Sequence, residues 1–512
     1  MSVVYLIGAG PGDPGLITVR GRECLASADV VLYDHLVHAR VLRHARADAE
    51  KIDVGVAAPQ TLEQDAICYL LAEKAREGKV VARLKWGDPF VFDRGGAEAL
   101  FLHEQGIRFE VVPGIPAGLA AASYAGVPVT YPGGGDTLTF IRGHEDEGKS
   151  RASLDWKGLA QLDGTIVCYA GPDRVPVILK ELVAHGRAAD DSAAVVYDGT
   201  LPTQRTITGT LEEVAHTVET GTERRPAILI VGRVANLRDH LRWFDARPLF
   251  GKRILVTRPR GRAAELVGLL ESMGAEPIEA PMIRIAPPDD FGPLDAACAR
   301  IGEFDWIVFS SVNAVEALLD RLLAGPQDLR ALHGVKLCAI GPTTGERLAE
   351  YGLRTDLTPS EYRAEVMLRA LLDKGAAGKV LLPRADIGRE IVADELRKHG
   401  ADVTEVIAYR TVVVEPEREG EPDIYRMLLE RRIDVVTFTS ASAVRNFVQI
   451  LGAEPAADLL RTTVVASIGP VTAEAASQLN IQTSVMPAQY TVPKLVEAIV
   501  SYYAQEATAK SS

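Results

Sequence analysis

The chain is poor in cysteine, has no metal-ligand spacing and contains no long apolar run. Its five cysteines, Cys24, Cys68, Cys168, Cys298 and Cys338, are odd in number, widely spaced and form no C-x-x-C. That excludes a disulfide framework and a zinc ribbon, and the expectation is reduced thiols in the cytoplasm. The ten histidines contain no H-E-x-x-H. His35 and His38 stand three apart without evident partner ligands, so no metal is expected. No apolar stretch approaches about 18 residues, so no membrane span is expected. The first residues run into a strand pattern without signal-peptide character. Positive charge is also short: 56 Lys and Arg against 69 Asp and Glu leave a net charge of −13. Non-specific nucleic-acid binding needs basic surface and is excluded. A polyanion could enter only a locally basic pocket.

What remains is an ordinary globular composition, 47% hydrophobic and 24% charged over 512 residues. At about 150 residues per domain this allows roughly three to four structural units. The most informative stretch is the opening, Val4-Tyr5-Leu6-Ile7-Gly8-Ala9-Gly10-Pro11-Gly12-Asp13-Pro14-Gly15-Leu16-Ile17-Thr18. An apolar strand ends in a loop of alternating Gly and Pro, and a helical pattern follows. Gly allows positive φ and close approach of a ligand; Pro stiffens the loop and removes amide donors. Such a loop at a strand's carboxyl end is where open α/β sheets bind ligands. A dinucleotide fingerprint nearly fits, but Asp13 stands where the third Gly belongs. The prolines also remove amides that a pyrophosphate uses.

The first half alternates strand and helix. Strands are expected at Val3–Ile7, Val30–Tyr33, Val80–Leu84 and Phe109–Val112, with a helix over Leu16–Ser27. A second lobe follows Gly114, with strands at Leu138–Ile141, Thr165–Tyr169, Ala193–Tyr197, Arg205–Thr208 and Ala227–Val231. The best major boundary is Asp245–Lys252. The second half repeats itself. Arg253–Pro259 echoes Lys379–Arg384, Phe304–Val315 echoes Ile433–Val444, and Ala339–Thr344 echoes Ser467–Thr472. The offset is 129 between Ser311 and Ser440, and 128 between Gly341 and Gly469 and between Tyr362 and Tyr490. Two repeats of this length predict two similar α/β lobes with a cleft between them. Ser311, Ser440, Thr343 and Thr472 follow buried strands and precede helices. They read equally as helix caps or as binders of carboxylate groups.

The first half resembles the uroporphyrinogen-III C-methyltransferases, within the tetrapyrrole methyltransferases, over about Ser2–Phe244. The resemblance rests on the opening loop, Arg83-Leu84-Lys85 with Gly87-Asp88-Pro89-Phe90-Val91-Phe92, Val112-Pro113-Gly114-Ile115, and Asp198-Gly199-Thr200-Leu201-Pro202 before Gln204-Arg205. It implies two α/β lobes holding S-adenosyl-methionine, and two methylations of uroporphyrinogen III to precorrin-2. By motif match, Pro11, Gly87, Asp88, Val91, Ala117 and Gly199 would contact the cofactor. Asp34 matches a carboxylate assigned to acid–base work, although a strand-end Asp also serves as a turn cap. Trp86 replaces a usual Gly, Pro116 a usual Thr, and Ala170 a usual Met, all beside the cofactor. Around Gly55-Val56-Ala57 a family Gly-Lys stretch is missing. These departures leave an alternative open, in which this half is degenerate or re-targeted and acts as a binding or scaffold module.

The second half resembles the uroporphyrinogen-III synthases, over about Phe250–Tyr503. The matching stretches are Ile254–Pro259, Phe309–Val315, Ile340–Thr344 and Ala408–Thr411. The resemblance implies two lobes joined by crossing strands, here Ile278–Ile285 and Val406–Val412. It also implies cyclisation of hydroxymethylbilane with loss of water and inversion of one ring, without metal or organic cofactor. Tyr409 would assist loss of water. Ser311, Asn313, Thr343, Ser440 and Thr472 would bind substrate carboxylates. Arg258 and Arg384 would add positive charge, or would sit in solvated ion pairs.

Together the resemblances imply a bifunctional enzyme on the siroheme or cobalamin branch. Its partners would be small tetrapyrroles, with homodimerisation through the methyltransferase half. The expected domains are 1–246 (lobes about 1–114 and 115–246) and 251–505. In the latter, one lobe joins 251–283 to 412–505 and the other is 284–411. A tail of 506–512 would follow.

Overall fold

The computed structural model describes residues 2–55, 62–143, 154–280, 283–359, 364–375, 378–386, 391–413 and 423–511. Met1 to Lys252, with Glu271–Glu276, form one compact unit, and Arg253–Leu270 with Pro277–Ser512 form a second.

The first unit contains two five-stranded sheets. The first is built from β1 (Val3–Gly8), β2 (Val30–Tyr33), β3 (Glu50–Asp53), β4 (Val80–Lys85) and β5 (Phe109–Val112), in the order β3-β2-β4-β1-β5. All its pairings are parallel. Parallel strands covered on both faces read as continuous apolar runs, which is why Val3–Ile7 and Val30–Leu32 stand out. The edge strand β3 reads Glu-Lys-Ile-Asp, and its exposed and half-buried side chains give no such signal. The second sheet has β6 (Thr137–Arg142), β7 (Gly164–Ala170), β8 (Ser192–Tyr197), β9 (Arg205–Thr210) and β10 (Ala227–Val231), in the order β6-β7-β10-β8-β9. Only its β6–β7 pairing is parallel.

The expected helix Leu16–Ser27 begins later. Residues Pro14–Leu16 form a separate 3₁₀ turn, and the helix runs Val19–Ser27. Thr18 Oγ1 accepts from Gly21 N at 3.0 Å and sets the start. This side-chain cap satisfies the Gly21 amide, one of the first-turn donors that has no acceptor within the helix.

The second unit also has two sheets. Its strands are β11 (Arg253–Val256), β12 (Glu276–Glu279), β13 (Ile283–Ala286), β14 (Trp306–Phe309), β15 (Lys336–Ala339), β16 (Lys379–Ala385), β17 (Asp402–Val413), β18 (Val435–Phe438) and β19 (Val464–Ser467). One sheet runs β12-β11-β18-β19 and draws on both ends of this half; the other runs β13-β17-β16-β14-β15. The long β17 pairs parallel with β16 and antiparallel with β13. Thr257 Oγ1 donates to the Thr437 carbonyl at 2.8 Å and Thr437 Oγ1 to the Leu255 carbonyl at 2.9 Å. These buried bonds tie β11, from the start of the half, to β18, near its end.

Of the residues expected as a tail, 506–511 are helical. The last helix runs Val492–Ser511. Its only helix-breaking residue, Pro493, lies in the first turn, where no intrahelical amide is lost.

Candidate functional site

In the first unit the strand ends of both sheets surround a cavity of about 780 Å³. Asp34 follows β2, and Trp86, Gly87, Asp88, Val91, Phe92, Asp93 and Arg94 lie on the loop after β4. Arg142 and Tyr169 come from β6 and β7, and Pro116 and Ala117 open the helix Ala117–Tyr124. The loops meet backbone to backbone. Gly87 N donates to Gly10 O at 2.9 Å and Gly10 N to Gly87 O at 3.2 Å. Gly87 has φ +73°, and a Cβ on Gly8 would lie 2.5 Å from the Gly114 Cα, so neither position accepts a side chain readily. Asp88 braces this loop: Oδ1 accepts from Phe90 N at 2.8 Å and Oδ2 from Gly114 N at 3.0 Å. The Tyr169 hydroxyl accepts from Gly118 N at 2.9 Å, and its ring stands edge-on to Phe92 at 5.1 Å.

Beneath the cavity lies a charged cluster that sequence reasoning missed. Arg83, Lys85 and Glu98 are buried, at 2%, 1% and 0% exposure. Glu98 Oε1 accepts from Arg83 Nε at 3.2 Å, Lys85 Nζ at 3.0 Å and Gln64 Nε2 at 3.2 Å. Arg83 Nη2 also reaches Asp34 Oδ1 at 2.5 Å, and Lys85 Nζ reaches Asp93 Oδ1 at 3.1 Å. Burial works against the Arg83 charge, but Glu98 and Asp34 more than offset it and its pKa is raised. Burial, with the like charge of Asp34, pushes the Asp93 carboxyl above its ordinary range. The signal was present in the sequence. Arg83 and Lys85 are two apart in a central strand, so both point to one face and require acidic partners there.

Six of the residues matched to the cofactor line the cavity: Trp86, Gly87, Asp88, Val91, Pro116 and Ala117. Pro11, Ala170 and Gly199 are not among its lining residues. The Pro11 carbonyl instead accepts from Trp86 Nε1 at 2.8 Å. Ala170, the last residue of β7, packs into a hydrophobic core. Gly199 faces Ala121, whose Cβ would lie 2.5 Å from a Cβ at that position. Its loop supports the opening loop: Asp13 N donates to Thr200 Oγ1 at 3.0 Å, and the Tyr124 hydroxyl to Asp13 Oδ2 at 2.8 Å. Asp34 is committed on both oxygens, to Arg83 and to Trp86 N at 3.2 Å. Of the Gly55-Val56-Ala57 stretch, residues 56 and 57 lie outside the described residues.

In the second unit Ser311 and Tyr409 come together. Ser311 caps the helix Val312–Ala324, and its Oγ lies 3.0 Å from the Tyr409 hydroxyl on β17. Asn313 Oδ1 accepts from Arg262 Nη2 at 2.7 Å. Ser440 caps the helix Ala441–Leu451 and shares a hydrogen bond with Ser442 at 3.0 Å. Thr343 is exposed in the first turn of Pro342–Glu350. Thr472 is buried at 4%, as is Thr344, its counterpart in the repeat. The repeat places Val471, not Thr472, opposite Thr343, so Thr472 offers no open hydroxyl to a ligand. The two matched arginines have diverged. Arg384 Nε approaches Glu405 Oε2 at 2.9 Å. Burial lowers the pKa of Arg258, and no carboxylate among the described residues forms an ion pair with it. Tyr490 packs on Gly469; Tyr362, matched to it by the repeat, lies outside the described residues.

Two family descriptions match, "Tetrapyrrole (Corrin/Porphyrin) Methylases" over residues 3–215 and "Uroporphyrinogen-III synthase HemD" over residues 264–497. The chain is 37% identical to the porphyrin biosynthesis protein HemD of Ruminiclostridium josui, over 97% of each chain. This chain belongs to the fused tetrapyrrole methylase and uroporphyrinogen-III synthase family. Its methylase half is 46% identical to an S-adenosyl-L-methionine-dependent uroporphyrinogen III methyltransferase of Methanosarcina barkeri, over 46% of this chain and 94% of that one. Among solved structures, the uroporphyrin-III C-methyl transferase of Thermus thermophilus complexed with S-adenyl homocysteine is 38% identical, covering 46% of this chain and all of that one at TM-score 0.41. The chain is thus a bifunctional enzyme of tetrapyrrole biosynthesis, with its methylase cavity in the first unit and the Ser311–Tyr409 pair in its synthase unit.

Proposed function

We propose that the synthase unit converts hydroxymethylbilane to uroporphyrinogen III, with loss of water and inversion of one ring. The methylase unit then methylates uroporphyrinogen III twice to precorrin-2, on the way to siroheme or corrinoids. The observation that carries the methylase reading is the cavity walled by both sheets of its unit. Its volume lies within the range of small-molecule sites.

The cavity residues fit S-adenosyl-methionine. Val91, Pro116, Ala117 and the Trp86 ring offer apolar walls for an adenine, and the Asp88 carboxylate, held by loop amides, adds negative charge beside a cationic ligand. When bound, this cofactor supplies an electrophilic methyl group. The chain's own part is alignment of the pyrrole carbon, exclusion of water and removal of a proton. Arg94, Arg142 and His35 on the cavity wall suit the carboxylates of a tetrapyrrole.

In the synthase unit Tyr409, held against Ser311, is suited to donate a proton to a departing hydroxyl. Arg258, Asn313, Thr343 and Ser440 would bind substrate carboxylates, and curling of the flexible bilane by such contacts would supply much of the acceleration.

The test separates the halves. Hydroxymethylbilane alone should yield uroporphyrinogen III, and uroporphyrinogen III with S-adenosyl-methionine under anaerobic conditions should yield a dimethylated product. The Trp86 bond to Pro11 favours a second reading, a re-targeted methylase half. Cofactor binding without methylation of uroporphyrinogen III would support it.

A further inference from the structure

We propose that Asp93 is the proton acceptor of the methyl-transfer step in the methylase cavity. The inference rests on the methyltransferase reading above and names a residue that the motif match does not include.

Four carboxylates among the described residues line the cavity, Asp34, Glu63, Asp88 and Asp93, and Glu63 is solvent-exposed at the start of the helix Gln64–Arg76, outside the charged cluster. Asp34 is held by Arg83 on one oxygen and by Trp86 N on the other. Both Asp88 oxygens brace loop amides. Glu98 has an unpartnered Oε2 but is fully buried and does not line the cavity. Asp93 lines the cavity and keeps 23% of its side chain exposed. Its Oδ1 takes Arg94 N at 2.6 Å and Lys85 Nζ at 3.1 Å. Its Oδ2 accepts no hydrogen bond among the described residues.

The surroundings favour a proton there. The groups around Asp93 are Lys85 from β4, Asp34 after β2, Glu98 from the helix Gly95–Glu104, Gln64 from the helix Gln64–Arg76, and Arg94 beside it. Three carboxylates, Asp34, Asp93 and Glu98, share two cations, Arg83 and Lys85. One negative charge is left over in a buried cluster, and uptake of one proton neutralises it. Burial already raises the Asp93 carboxyl's affinity for a proton.

The step balances as follows. A pyrrole carbon forms a bond to the methyl group of a sulfonium donor, and the carbon–sulfur bond breaks with its electron pair left on sulfur. The pyrrole becomes cationic at nitrogen. Loss of a proton from the neighbouring bridging methylene restores neutrality, and Asp93 Oδ2 takes that proton. Lys85 remains paired with Glu98 throughout, and Asp93 then passes the proton to solvent through the cavity mouth, which restores its carboxylate.

Two measurements test this on the full chain. In difference infrared titration, the wild type should show a protonated-carboxyl band titrating above the usual carboxylate range, and Asp93→Asn should lack it. In anaerobic single turnover with uroporphyrinogen III and S-adenosyl-methionine, Asp93→Asn should slow methylation by about 100-fold or more. S-adenosyl-homocysteine affinity should be kept, Asp93→Glu should recover part of the rate, and the wild type's loss of rate toward low pH should disappear in Asp93→Asn. Methylation by Asp93→Asn within about threefold of wild type, with the same pH profile, overturns the proposal. If Asp93→Asn does not fold, a wild-type titration without a high-titrating carboxyl band overturns it equally. Failure of the wild type to methylate uroporphyrinogen III would instead refute the methyltransferase reading itself.

Discussion

Ser311 Oγ and the Tyr409 hydroxyl stand 3.0 Å apart, joining the helix cap after β14 to the buried middle of β17. Ser311 Oγ also accepts from Ala314 N at 3.1 Å. The hydroxyl that caps the helix is therefore also the hydrogen-bond partner of the tyrosine hydroxyl. Tyr409→Phe should lower synthase turnover by about tenfold, the equivalent of one hydrogen bond lost at the transition state. Ser311→Ala should add a loss of about 1 kcal/mol in stability through the cap. In turnover the double variant should resemble Tyr409→Phe alone, because both changes remove the same contact. Strict additivity in the turnover cycle would separate the two roles.

The duplicated arginines should behave differently. Arg258 is half-buried without an ion pair among the described residues, whereas Arg384 is held by Glu405. Arg258→Ala should raise KM for hydroxymethylbilane by about tenfold and leave the urea midpoint nearly unchanged. Arg384→Ala should do the reverse, costing about 1 kcal/mol of stability with a smaller effect on KM. The loss is modest because Glu405 keeps Arg397 at 2.8 Å.

Trp86 links the opening loop to the core of the second sheet. Its indole N–H donates to the Pro11 carbonyl, and its ring packs against the cluster containing Ala117 and Tyr169. Trp86→Phe should keep S-adenosyl-homocysteine affinity within a few-fold. Trp86→Gly should cost about 2 kcal/mol of stability by removing the packed ring. It should also weaken S-adenosyl-homocysteine binding by about tenfold as the cavity wall is lost. Calorimetry on both variants reads this directly, and tighter binding by Trp86→Gly would mean that the indole obstructs the cofactor.

Acid should loosen the methylase unit through Glu223. Hydrogen bonds from Arg225 hold its carboxyl down at about 2. A carboxylate held below its unfolded value of about 4.3 stabilises the fold above that value and loses its contribution as pH falls toward its folded value. Denaturant midpoints of wild type and Glu223→Gln should therefore differ most at neutral pH and converge between about pH 4 and 2. A gap that persists unchanged at pH 2 would point to packing instead of charge.

Much of the fold was legible because central strands buried on both faces leave unbroken apolar runs, as in the parallel Val3–Ile7 and the antiparallel Ala227–Val231. The duplication was legible because strand, cap and helix recur in one register. Other parts left weaker traces. The strand Glu50–Asp53 is held by backbone pairing at a sheet edge, where polar side chains satisfy the same geometry. The cavity loops stood out as glycine and proline, yet Gly199 turned out to serve close packing on Ala121. A glycine motif does not say whether the space it opens is meant for a ligand or for another helix. The charged cluster was written in Arg83 and Lys85, but its acidic partners lie on other elements and only the tertiary fold brings them in. Thr472 shows the converse: similarity to Thr343 in sequence did not place it at an equivalent, open position.

The central claim is that one chain carries both activities. The most direct measurement supplies hydroxymethylbilane and S-adenosyl-methionine to the full chain under anaerobic conditions and identifies products by mass and absorbance. The account predicts a dimethylated precorrin-2, formed by way of uroporphyrinogen III. Recovery of unmethylated uroporphyrinogen III, or of unreacted bilane, would contradict it.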